Sequence, residues 1–223
     1  MQARHAKTNL MPGHADTHGG SDVATPPAAP TASEAGRRLM GRPERRSSIL
    51  RGAAAAFARS GFTATTMEAI AEASGVSKLI LYRHFESKEE LYRLVVGHVA
   101  QQLAEEFATT AARGEGPGVA ARSFLTVARE DPEGFRLLWR HSAREPQFAE
   151  YVERFRSLAM SFTRALLAPH VRDSSWHEWA AQTVVDLLVG AVLSWLDHGD
   201  AEHDDEFVER TTRALRAVIA AWA

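Results

Sequence analysis

The residues best suited to chemistry in this 223-residue chain are hydrogen-bond donors to an anion, gathered between Ser77 and Lys88. If Ser77 to His84 forms a short helix, Ser77, Lys78, Leu79, Tyr82 and Arg83 project outward while Leu81 turns into a core. Side chains of this kind reach base edges in a major groove and the phosphates beside it. Catalytic constellations do not show. The chain has no Gly-rich phosphate loop, no His-Glu-x-x-His and no Gly-x-Ser-x-Gly elbow. Asp197, His198, Asp200, His203 and Asp204 form a dense group of metal-ligating types, but Gly199 interrupts them and marks a polar loop. No catalytic residue, metal site or cofactor is expected.

These donors need a frame, and composition limits it. Without cysteine there are no disulfides or thiolate metal sites, and nothing points to an oxidising compartment. No apolar run approaches the roughly 20 residues that span a bilayer, and the N-terminus lacks a continuous apolar secretory core. A soluble cytoplasmic protein is expected, with no membrane partner. Beneath a net charge of -2, the segment Arg37 to Arg93 carries 11 basic against 6 acidic residues. From Gly97 onward, 13 arginines face 19 acids. A basic module on an acidic body suggests that one end meets a polyanion.

Three regions follow. Residues 1–36 are rich in Ala, Pro, Gly, Thr and Ser and show no periodic apolar face, so a disordered tail is expected. Residues 37–86 read as a small helical module, and 87–223 as a larger helical domain. In the module, Ile49, Ala53, Ala56 and Phe57 share one helical face, and Gly61 ends that helix. Thr65 with Glu68, and Ser87 with Glu90, have the spacing of capping boxes. Ser87 opens a long helix whose stripe is Leu91, Leu94, Val95, Val99, Leu103 and Phe107. Five more helices are expected, at roughly Val119 to Arg129, Pro132 to His141, Pro146 to Leu167, Ser175 to His198 and Asp204 to Trp222, with Asp204 as a cap.

Two short helices, Thr66 to about Ala73 and Ser77 to about His84, flank a turn at Gly75, which is the helix-turn-helix arrangement. Ala71 is small enough for a close crossing, Gly75 can take a left-handed conformation, and Ile70, Val76 and Leu81 form a shared core. The stretch TTMEAIAEASGVSKLILYRHFESKEELY, from Thr65 to Tyr92, resembles the TetR family signature. The likeness rests on Ile70-Ala71, Gly75-Val76-Ser77, Leu81 to Phe85 and Lys88 to Leu91, preceded by Ala53 to Phe57 and Ser60-Gly61-Phe62. Ser74 stands where that family usually has Ala, and Leu79-Ile80 where Gly-Thr or Pro-Thr is common.

The resemblance implies an all-α protein, with a three-helix N-terminal reading head joined by a long helix to a C-terminal ligand-binding and dimerisation domain. It implies a ligand-responsive repressor that binds a palindromic double-stranded operator as a homodimer, lies on the nucleoid when bound, and is released by a small-molecule effector. Lys78 would read a base edge with Ser77 in support, and Leu79 would touch a thymine methyl. Tyr82, Arg83, His84 and Thr66 would meet phosphates or groove walls, and Lys88 would add its ammonium to a helix N-terminus facing a phosphate. Arg42 resembles a basic arm laid along the minor groove. Activation of transcription and a DNA-bound adaptor are the alternative readings.

The C-terminal half carries the remaining expectations. The helix with Val185, Leu188, Val189, Val192 and Trp195 is apolar on nearly every face, so burial against a partner subunit is expected, joined by Leu215 and Ile219. An aromatic-rich interior with nearby basic residues points to an anionic or aromatic effector, for which Trp139, Arg140, His141, Phe155 and Trp176 are the candidate contacts.

Overall fold

The computed structural model describes residues 41–113, 118–142 and 145–222, excluding the side chains of Arg42 and Ala111. The expected tail at 1–36 and the Arg42 side chain lie outside the described residues, and the described residues contain helices and turns but no strand. Helix α1 spans Arg42–Ala64, α2 Met67–Ala73, α3 Lys78–His84 and α4 Lys88–Ala112. Then come α5 Val119–Glu130, α6 Pro132–Arg136, α7 Ala149–Leu167, α8 His177–His198 and α9 Asp204–Ala220.

The first helix shows how sequence sets these elements. Gly41 caps α1 and its N–H is held by the Glu44 carboxylate at 3.0 Å, while Ile49, Leu50, Ala53, Ala54, Ala56 and Phe57 face the core. Gly61 breaks the helix at φ 74°, where a β-carbon would be strained, and one further turn runs to Ala64. Thr65 does not open α2 as expected. It is buried, with its hydroxyl 2.6 Å from the Gly61 carbonyl, and Thr66 takes the cap by accepting from Ala69 N at 3.2 Å. Of the Ser87–Glu90 pair one half forms: Ser87 Oγ accepts from Glu90 N at 3.0 Å, while the Glu90 carboxylate accepts from Glu86 N at 2.7 Å instead of from Ser87 N.

Helix α4 is the spine, because Leu91, Tyr92, Val95, Val96, Val99 and Leu103 are buried against neighbours on both sides. Tyr92 packs among Phe57, Phe62 and Phe148, with Phe148 stacked at 4.2 Å. One continuous apolar cluster therefore links the three N-terminal helices to α5, α6, α8 and α9. Helix α6 passes into a π-helical turn, Leu137–His141, where one uninterrupted α-helix was expected. Asp204 is the first residue of α9 but does not cap it. Its carboxylate instead accepts from Arg129 at 2.8 Å and from Trp195 Nε1 at 2.7 Å.

One expectation is corrected in α8. The segment Ser174–His198 is long and apolar enough to cross a membrane by length and composition, contrary to the reading of the sequence. Here it serves as a core helix, with Val185, Leu188, Val189, Val192 and Leu193 buried against α5, α7 and α9. Val185, Leu188, Val189 and Val192, expected at a dimer interface, are buried within their own subunit. Trp195 stacks on Phe207 at 5.0 Å, and Leu215 and Ile219 pack against the same subunit's apolar clusters. The outward face of α8 is a different one: Trp179, Leu187, Gly190 and Ser194 are exposed there, and Ala214 and Ala217 are exposed on α9.

Candidate nucleic-acid interface

Helices α2 and α3 are short, so the turn between them and the packing beneath must hold their geometry. Gly75 adopts φ 65°, and the Val76 N–H reaches back to the Ala71 carbonyl at 3.0 Å, closing α2. Ile70 and Leu81 are fully buried and Ala71 nearly so, which docks α3 across α2. Ser77 caps α3 by accepting from Ile80 N at 3.3 Å, leaving its O–H free to donate outward.

A second close approach was not legible in the sequence. At Gly52 of α1, an added β-carbon would stand 2.6 Å from Ser74 Cα and 2.7 Å from its backbone N. The buried Ser74 hydroxyl donates to the Ile49 carbonyl at 3.3 Å. This small-residue contact sets the distance from α1 to the α2–α3 unit. Ser74 is therefore more than a small-for-small replacement of Ala.

The outward face of α3 carries the expected residues. Ser77, Lys78 and Arg83 are exposed, Leu79 is 63% exposed, Tyr82 is 48% exposed, and His84 is half-buried against Phe85. Lys78 pairs with Glu68 of α2, and its ammonium lies 5.8 Å from the Tyr82 ring centroid. The hydrogen bond with Lys78 lowers the Glu68 pKa and raises that of Lys78 in return. Both side chains are solvent-exposed, so the pair is weak and open to exchange for a stronger anion. Arg46 of α1, stacked over Phe85 at 5.8 Å, stands beside the end of α3 as a cation the motif alone did not indicate.

Lys88 departs from expectation. Its ammonium donates to the carbonyls of Phe62 and Thr65, each at 2.9 Å, approaches Thr63 O at 3.4 Å, and lies 4.4 Å from the Phe62 ring centroid. These carbonyls are the unpaired C-terminal groups of α1, which a cation satisfies well. The ammonium expected to meet a phosphate is engaged here by the end of α1. Nearby, Glu145 accepts from the Phe62 N–H at 2.8 Å, so Phe62 is held from both sides.

The candidate effector contacts do not converge. His141 lines a cleft of about 270 Å³ with Phe57, Leu137 and Glu145. Trp176 borders a separate cleft of about 440 Å³ with Trp179 and Trp222. Arg140 pairs with Asp197 at 3.2 Å, which also takes Arg136 at 2.8 Å and whose pKa these bonds lower. Phe155 packs on Tyr151 above Gly97, and Trp139 lies in the interior beside Phe124. No group of three or more metal-ligating side chains gathers among the described residues.

Residues 49–95 match the model of the bacterial regulatory proteins of the tetR family. The HTH-type transcriptional activator FasR of Mycolicibacterium smegmatis is 30% identical over 187 residues, covering 80% of this chain and 84% of FasR. A TetR-like transcriptional regulator from Rhodococcus sp. RHA1 superposes with a TM-score of 0.66 at 22% identity, over 81% of this chain and 98% of that one. AibR, solved in complex with isovaleryl coenzyme A and operator DNA, does so with a TM-score of 0.58 at 17% identity, over 77% and 98%.

Proposed function

From the chain's membership of the TetR family, whose members are helix-turn-helix transcriptional regulators, we propose that it acts as a cytoplasmic homodimeric repressor of a palindromic operator. The observation that carries this is the exposed face of α3, where Ser77, Lys78, Leu79, Tyr82 and Arg83 stand on a rigid, internally capped unit. In this reading Lys78 leaves Glu68 for a base edge, Leu79 meets a thymine methyl, and Tyr82, Arg83, His84 and Thr66 meet the backbone. Arg46 adds a phosphate contact and Arg42 an arm in the minor groove.

The partner subunit docks on the outward face of α8 and α9, where Gly190, Ser194, Ala214 and Ala217 allow close helix approach and Leu187 supplies apolar area. Two reading heads then enter successive major grooves about 34 Å apart. A small-molecule effector bound in the α4–α8 body releases the operator, and by linkage the operator weakens effector binding by the same factor. FasR supports a second sign of regulation, since that relative is an activator.

The test is selection of the purified chain against random-sequence DNA near physiological salt, with its mass in solution measured alongside. An enriched palindrome bound by a dimer supports the reading. Salt-sensitive binding without enrichment, or a monomer on an asymmetric site, overturns it. Transcription from a promoter bearing the selected site then decides between repression and activation.

A further inference from the structure

Within the body, two buried donors lack an acceptor among the described residues: Arg156 Nε of α7 and Trp139 Nε1 of the π-helical turn. Their side chains are in contact. The Arg156 guanidinium lies 5.6 Å from the Trp139 ring centroid, and one of its terminal nitrogens donates to the Trp139 carbonyl at 3.2 Å. No carboxylate among the described residues pairs with Arg156, whereas Arg136 and Arg140 both discharge onto Asp197. Buried donors are normally satisfied, and a half-buried guanidinium without a counter-charge asks for an anion.

The surroundings say what else the anion carries. From Trp139 an aromatic row runs through Phe124 at 5.8 Å and Phe107 at 6.0 Å to Phe162 at 5.5 Å, and Phe162 is 50% exposed. The row leads from the orphaned donors to the surface. The π-helical turn that presents Trp139 is a wide, infrequent backbone form, often found where a side chain serves a site.

We propose that Arg156 and Trp139 form the seat for the carboxylate of an amphipathic effector, whose apolar body lies along Phe124, Phe107 and Phe162. A guanidinium N–H and an indole N–H can each donate to an oxygen of the same carboxylate. The proposal rests on the regulator reading above and names the class of effector.

Calorimetry on the full chain tests it with two matched pairs, octanoate against octanol and 4-phenylbutyrate against 4-phenylbutanol. At least one acid is expected to bind about tenfold or more tightly than its alcohol, the scale of a charged hydrogen bond. Arg156→Met, which keeps the aliphatic stem, brings that ratio to about one. Arg156→Lys keeps part of the preference, and Trp139→Phe lowers it while retaining the ring. Equal binding of acid and alcohol, binding of neither acid, or a preference unchanged in Arg156→Met overturns the seat. If Arg156→Met does not fold, the Lys and Phe variants decide by the same ratio. Affinity for the selected operator, measured on the same samples without ligand, separates the two readings. Loss of specific DNA binding by the parent chain undoes the regulator reading, whereas loss of the acid preference alone undoes only the seat.

Discussion

Lys88 donates to the Phe62 carbonyl at 2.9 Å and stands 4.4 Å from the centroid of that residue's ring. One side chain thus closes the C-terminus of α1 and anchors the first turn of α4 to it. Its charge thereby joins α4 to the end of α1.

Lys88→Met is therefore expected to destabilise the protein by about 1.5–3 kcal/mol, the range for hydrogen bonds to a charged group. Urea unfolding checks this. The salt dependence of operator binding should stay near that of the parent chain, whereas loss of a phosphate contact would lower the slope by about 1.

Lys78→Ala should behave differently, because Lys78 and Glu68 are exposed and their pair adds little to stability. Unfolding should change little. Affinity for the operator should fall by about 1–3 kcal/mol, with relaxed preference at one base position. An unchanged base preference would remove Lys78 as the reader. Glu68→Gln, which frees the ammonium, should leave affinity equal or higher.

Gly52 touches the backbone of Ser74, which cannot swing aside as a flexible side chain can. Gly52→Ala is expected to cost about 1–3 kcal/mol through overpacking, and to weaken operator binding by shifting α2 and α3 from α1. Ser74→Ala, which loses a neutral hydrogen bond of 3.3 Å, should cost about 0.5–1.5 kcal/mol. Thermal or urea unfolding ranks the two.

The proposed dimer face of α8 is distinct from its core face. Nothing lies within 4 Å of a β-carbon placed on Gly190, so Gly190→Arg should leave the subunit folded and yield monomers in solution. Val192 is fully buried, and Val192→Ala should lower stability by about 1–3 kcal/mol without selectively dissociating the dimer. Light scattering with unfolding curves distinguishes them. A dimeric Gly190→Arg protein would place the partner elsewhere.

Asp131 gives the pH prediction. It is 5% exposed and caps α6 by accepting from Gly134 N at 3.0 Å. Burial is the largest influence on its pKa and raises it; the Gly134 hydrogen bond and the charges of His98 and Arg51 pull it back. A carboxyl whose folded pKa exceeds its unfolded value binds protons more readily when folded. Its ionised form therefore subtracts from stability above the folded pKa, and that penalty fades as pH falls through it. Asp131→Asn, which retains a capping oxygen, should raise the melting temperature at neutral pH. The gain should shrink towards about pH 4, the ordinary carboxylate range. A gain that does not vary with pH would assign the effect to packing.

Much of this protein is legible because its signals are local. Gly75, the Ser77 cap, the Ser87–Glu90 pair and the apolar spacing in α1 and α4 act within a turn or two of themselves. Chain chemistry over such distances is nearly independent of the rest of the fold, so the helix-turn-helix and its outward residues could be read directly.

Where reading failed, the partner lay far along the chain. Lys88 meets Phe62 26 residues earlier, Ser74 meets Ile49 25 residues earlier, and Arg129 meets Asp204 75 residues later. Periodicity showed that α8 is apolar all round, but not which side its own subunit covers. That face was decided by packing against α5, α7 and α9, which buried Val185 to Val192 at their core-facing positions and left Leu187 and Gly190 outside. Sequence alone determined the helices, the turn and the outward face of α3, because backbone preference and side-chain period act locally. Tertiary structure alone decided which charges face inward, which donors are left unmatched and which face of α8 stays exposed, because those depend on what distant segments bring into contact.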